Sequence, residues 1–141
     1  MKKIENVLLF LTLLFLPTQL GRHFWPDFSH VYSLRIDYLS PTLFFWDVLV
    51  VALLAVWFWQ KPKVNRIALN LILFFLLSQA LSLPGAKNIG AGLLRLEQYG
   101  IAGGFGVYLA SQAGAALKNK LFLPLIIGVL LVCGTLFLSK F

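Results

Sequence analysis

Charge is scarce in this chain. Only 12% of its residues are Asp, Glu, Lys or Arg, five of them acidic, against 60% hydrophobic. Soluble domains run nearer a quarter charged and half apolar, so so little polar surface points to lipid as the solvent and excludes an independent soluble domain. The single cysteine, Cys133, excludes an intrachain disulfide. It lies in the last apolar run without a charged neighbour, the setting of an inert packing or lipid-facing thiol. A Gly-rich phosphate loop, a nucleophile elbow and an HExxH pair are all missing, so no complete enzyme is visible. There is also no internal repeat, which removes support for a repeat-built transporter half.

What charge there is carries a sign. The net charge is +7, but the cations sit in short runs between apolar segments. That distribution belongs to membrane topology signals rather than to a phosphate-binding face, so no nucleic-acid partner is expected.

A bilayer core of about 30 Å takes roughly 20 apolar residues to cross as a helix. Five segments come near that length, at 4–20, 41–59, 67–83, 93–117 and 121–138, and predict one all-α integral membrane region of about five spans. Lys2 and Lys3 followed by VLLFLTLLFL also resemble a secretory signal. No small-x-small cleavage site follows, so an uncleaved first span is expected. Lys2, Lys3, Lys61, Lys63, Arg66, Lys118 and Lys120 fall on one side, and Arg22, Arg35, Lys87, Arg95 and Lys140 on the other. The first, richer set predicts a cytoplasmic N-terminus and an outer C-terminus. The short KPKVNR and LKNK connections predict hairpins of spans two with three and four with five. The longer outer loop, 21–40, contains LRIDYL, which alternates like a short strand.

Inside the apolar segments three ionisable residues are candidates for chemistry: Asp47, Arg95 and Glu97. An unpaired carboxylate at that depth costs several kcal/mol, and matched depth predicts an Asp47–Arg95 pair that sets helix registry. Arg22 and Arg35 flank the outer loop as interfacial cations suited to phosphate. Ala102, Gly106, Ala110 and Gly114 form a small-residue stripe at four-residue spacing, with Gly100 and Gly104 as a second GxxxG pair, and predict close approach of a helix partner. Asn70, Ser78, Gln79 and Ser82 predict interhelical hydrogen bonds. His23, Asp27 and His30 have metal-ligand types without a fourth ligand, and Pro26 interrupts any helix that would align them. Trp25, Phe24, Phe28, Tyr32 and Tyr38 read as an aromatic belt. No catalytic, cofactor or metal residue is assigned.

The stretch LFLPTQLGRHFWPDFSHVYSLRIDYLSPTLFFWDVLVVALLAVW resembles the start of bacterial O-antigen ligase and polymerase-like proteins, through Ser40, Pro41, Thr42 and an early Asp47 in the second span. LLRLEQYG, Leu93 to Gly100, resembles the Arg and Glu at the head of a later helix in that family. The resemblance implies about ten or more spans and transfer of a glycan from a polyprenyl diphosphate carrier, by arginines and a histidine around a large outer loop downstream. No such loop occurs within these residues, so the expectation is an N-terminal portion that does not catalyse alone. The alternative is a small non-catalytic multi-pass subunit or transporter component.

Overall fold

The computed structural model describes residues 1–18, 20–31, 34–35, 40–112 and 115–138. Most of them are helical: α1 (Lys2–Phe15), α2 (Phe45–Trp59), α3 (Arg66–Ser82), α4 (Ile89–Ser111) and α5 (Ala115–Leu138). Between α1 and α2 lie two small antiparallel ribbons. In one, β1 (Gly21–His23) pairs with β4 (Thr42–Phe44), and in the other β2 (His30–Val31) pairs with β3 (Leu34–Arg35). The expected strand in LRIDYL is thus present at Leu34–Arg35, while 36–39 lie outside the described residues.

Two helices are shorter than the apolar runs that contain them. α1 stops at Phe15 rather than Leu20, because Pro17 has no N–H with which to continue the ladder. α2 starts at Phe45 rather than Pro41, because residues 42–44 are claimed by pairing with β1 in the register Gly21↔Phe44, Arg22↔Leu43 and His23↔Thr42. The ribbon is extended at both ends by Phe24 N donating to Pro41 O and Phe45 N to Leu20 O, each at 2.9 Å. α3 and α4 open on side-chain caps. Asn65 Oδ1 accepts from Ile67 N and Ala68 N, and Asn88 Oδ1 accepts from Ala91 N, which satisfies donors a helix start leaves orphaned.

Among the described residues one helix, Arg66–Gly85 with its terminal 3-10 turn, is long and apolar enough to cross a membrane, with mean hydropathy 1.9 over an 18-residue stretch of which none is buried. α1 and α2, at 14 and 15 residues, rise only about 21 to 23 Å. α4 has 23 residues but interrupts its apolar run with Arg95, Glu97 and Gln98.

The helices lie in the order α5, α1, α2, α4, α3: α1 packs on α2 and α5, and α4 packs on α2 and α3. The expected hairpins of α2 with α3 and of α4 with α5 are therefore not the main packed pairs among the described residues. For the first there is a plain reason. The connection 60–65, drawn out, reaches up to about 20 Å, which is two interhelical spacings, and α4 occupies the place between. The core is built from Leu9 and Leu13 of α1, Val50, Leu53 and Trp57 of α2, and Phe105, Val107 and Tyr108 of α4. Its aromatic centre is the edge-to-face pair Trp57–Tyr108 at 5.4 Å. α1 is thus a core element, and its removal as a signal would strip one wall from the bundle.

Glycines also act differently from expectation. A Cβ on Gly100 or Gly106 would meet nothing within 4 Å, while on Gly103 and Gly104 it would meet the side chains of Ile72 and Leu54. Among the described residues the α4 glycines Gly100, Gly103, Gly104 and Gly106 therefore do not seat another backbone, and Gly114 lies outside the described residues. The tight approach is in α5, where a Cβ on Gly128 would run into the backbone oxygen of Leu14.

Candidate functional site

Hydrogen bonds between distant segments give the bundle two distinct polar ends. At the first, Glu5 of α1 is buried, with 7% of its surface exposed, and accepts three hydrogen bonds. Tyr108 Oη donates to Oε1 at 3.0 Å, Gln112 Nε2 to Oε1 at 2.9 Å and Gln60 Nε2 to Oε2 at 2.9 Å. A carboxylate is acceptor-only with about four lone-pair sites, so one side chain ties the start of α1 to the ends of α2 and α4. Beside it Asn65 N donates to Ser111 Oγ and Asn65 Nδ2 to Ala110 O, which joins the start of α3 to the end of α4. Lys2, Lys3, Lys61, Lys63 and Arg66 flank this end in sequence. Sequence reasoning missed Glu5. Its signal was a lone acid in the first turn of an apolar helix, with Gln60 and Gln112 at equivalent helix ends.

The second end carries the ribbons and the candidate site. Asp47 is buried, at 4% exposure, and two clefts meet at it. The larger, about 380 Å³, is lined by Thr18, Trp46, Asp47, Gln98 and Tyr99 among others. The smaller, about 230 Å³, is lined by Phe24, Thr42, Asp47, Glu97 and Gln98 among others. Each has mostly apolar walls with a few polar groups converging, the usual make-up of a small-ligand site. Trp46 adds a buried indole Nε1 that has no acceptor among the described residues. Such an orphan donor costs about 1 to 3 kcal/mol.

The expected Asp47–Arg95 pair is not what stabilises the carboxylate. Asp47 Oδ2 accepts from Phe44 N at 3.0 Å, the N3-to-N-cap half of a capping box. Arg95, exposed on α4, donates from Nη1 to Gln98 Oε1 at 3.2 Å, and Gln98 Nε2 in turn donates to Thr42 O at 3.4 Å. Among the described residues the charged side chain that shares a cleft with Asp47 is Glu97, a like charge. Replacing Asp47 by Ala is accordingly expected to cost about 1 kcal/mol, the value of a lost cap. Combining it with Arg95→Ala should be additive to within about 0.5 kcal/mol, as measured by thermal unfolding in detergent. A coupling above about 1.5 kcal/mol would restore the pair.

The remaining candidates separate. Arg22 is not in either cleft; it lies over the Phe24 ring at 5.7 Å and lines a third groove. Arg35 is described in its backbone only, paired with His30. Ser78 and Ser82 bond to Phe75 O and Gln79 O in their own helix, and not across to a neighbour. Asn70 is exposed. His23 Nδ1 lies 2.8 Å from Thr42 Oγ1 and His30 Nδ1 lies 3.2 Å from Pro26 O. Among the described residues no three of His, Cys, Asp and Glu are arranged to hold a metal. Tyr32 and Tyr38 lie outside the described residues. Comparison with family models, characterised proteins and solved structures finds no match to this chain.

Proposed function

We propose that the chain is the N-terminal membrane portion of an O-antigen ligase or polymerase-like protein, with five spans, a cytoplasmic N-terminus and the Asp47 end facing outward. In this role it frames part of a polyprenyl diphosphate-linked glycan and leaves transfer to residues elsewhere. The observation that carries the reading is the convergence of two clefts at Asp47. Hydroxyl-rich ligands suit walls where carboxylates and an amide (Asp47, Glu97, Gln98) stand beside aromatic faces (Trp46, Tyr99, Phe24). The residues behind the family resemblance, Thr42, Asp47 and the Arg95–Glu97 helix head, gather at this end.

Orientation is tested by reporter fusions. Alkaline phosphatase fused after Lys63 should be inactive and after Lys87 active; activity at Lys63 overturns the orientation. Function is tested by glycan transfer from a polyprenyl diphosphate donor, for this chain alone and for any longer reading frame that contains it. The expected result is transfer only by a longer protein, reduced by Gln98→Ala. Transfer by the 141 residues alone would sink the non-catalytic reading, and none by a well-folded longer protein across varied donors would sink the family assignment.

One observation favours a second reading, a non-catalytic membrane subunit. Gly100 and Gly106 look onto open space on α4, as a face kept small for a partner helix does. A stable complex with an enzyme that handles no glycan would move the assignment there.

A further inference from the structure

Beside the two clefts, on the flank where α1 ends and α2 begins, runs a third groove of about 530 Å³ whose walls include Phe15, Leu20, Leu43, Phe45 and Val48. Its floor is set by Phe15 and Phe45, packed edge to face at 5.0 Å. Leu20, Leu43, Phe45 and Val48 are each about half exposed. Among the described residues Arg22 is the one ionisable residue in the lining. It sits where the ribbon crosses the groove mouth, opposite Leu43 in the β1–β4 register. Its guanidinium rests against Phe24 at 5.7 Å, a cation–π contact that holds its direction and leaves its N–H groups without a protein acceptor among the described residues.

We propose that this groove binds one anionic phospholipid of the outer leaflet, the acyl chain lying along Phe15, Phe45 and Val48 and the phosphate accepting from Arg22. The proposal rests on the outward orientation given above for the Asp47 end. An apolar trough alone takes any hydrocarbon, but an arginine fork at its mouth matches a phosphate and favours a lipid whose net charge is negative. The depth agrees, since the ribbon marks the point where the helix gives way to chain suited to the headgroup layer, and α2 residues three apart, Phe45 and Val48, present one continuous stripe below it.

The test is native mass spectrometry of the full chain released from detergent, with phosphatidylglycerol and phosphatidylcholine titrated separately. One phosphatidylglycerol should be retained with about fivefold preference, the worth of one interfacial cation. Arg22→Ala should abolish the preference and Arg22→Lys keep part of it. Val48→Trp, which fills the trough, should weaken retention of both lipids. Equal retention by the parent, or an unchanged preference in Arg22→Ala, overturns the proposal, as does displacement by millimolar inorganic phosphate, which would assign Arg22 to a free anion. Reconstitution into vesicles separates the two failures. A chain that enters the bilayer without headgroup preference loses only the groove, whereas one that stays in solution without detergent loses the membrane reading and the groove with it.

Discussion

Replacing Glu5 by Ala is expected to lower the unfolding free energy by about 3 kcal/mol. Three donors lose their acceptor at once: Tyr108 Oη, Gln60 Nε2 and Gln112 Nε2. They do not suffer equally. Gln112 is exposed and Gln60 half-buried, so both can turn to water, while Tyr108 has 2% exposure and its hydroxyl is stranded among Trp57 and Phe105. Most of the loss should therefore come from Tyr108. The combination Glu5→Leu with Tyr108→Phe should recover much of it, because removing both members of a buried polar contact is far milder than removing one. Glu5→Gln should fall between, since an amide keeps one acceptor but brings two donors against three existing ones. Thermal or denaturant unfolding of the purified chain in detergent decides the matter. A Glu5→Ala protein within about 0.5 kcal/mol of the parent would mean that the polar node does not hold α1 to α2 and α4.

Gly128→Leu should be as damaging by a different route, with a loss of about 3 kcal/mol. Any Cβ at this position meets the Leu14 backbone oxygen, and Pro17 Cγ lies within 2.9 Å. A carbonyl in a helix cannot step aside as a flexible side chain would, so α5 must back away from α1 along their shared face. Gly106→Leu on α4 serves as the control, since nothing stands within 4 Å of its Cβ and its effect should stay within about 0.5 kcal/mol. Cysteine pairs placed across α1 and α5 would report the separation directly. Equal stability of the Gly128 and Gly106 variants would place the close helix approach elsewhere.

The contrast between these two glycines shows how far spacing reaches. On α4, glycine and alanine recur at the interval expected of a helix contact, yet Gly100 and Gly106 face open space, and Gly103 and Gly104 face only the side chains of Ile72 and Leu54 among the described residues. Gly128 belongs to no stripe and seats a backbone. Small residues permit close approach; they do not say which helix approaches, because that depends on the shape of a surface far away in sequence. Helix order follows the same logic. α2 is apolar nearly all round after Asp47, so no side of it announces its neighbour, and α4 takes the position beside α2 that the short connection had suggested for α3.

The number of helices, close bounds for α3 and the ribbon character of Leu34–Arg35 were legible in the sequence alone. Those features rest on local physics: proline without its N–H, Asn caps at residues 65 and 88, and runs of apolar residues. By contrast, α4 runs Ile89–Ser111 rather than 93–117, and α5 opens at Ala115, taking in the LKNK stretch expected as a connection. The importance of Asp47 was also legible, since an acid at the head of an apolar helix demands satisfaction. How it is satisfied was not. A backbone donor three residues away competes with any distant arginine, and a local cap costs less order to form than a contact across the bundle. Tertiary structure alone decided that Arg95 turns to Gln98, that Arg22 leaves the clefts for the third groove, and that Glu5 becomes a hub. The partners of Glu5 lie 55, 103 and 107 residues away, separations over which no helical or strand period carries information, so only the packing of α1 on α2 and of α2 on α4 brings them together.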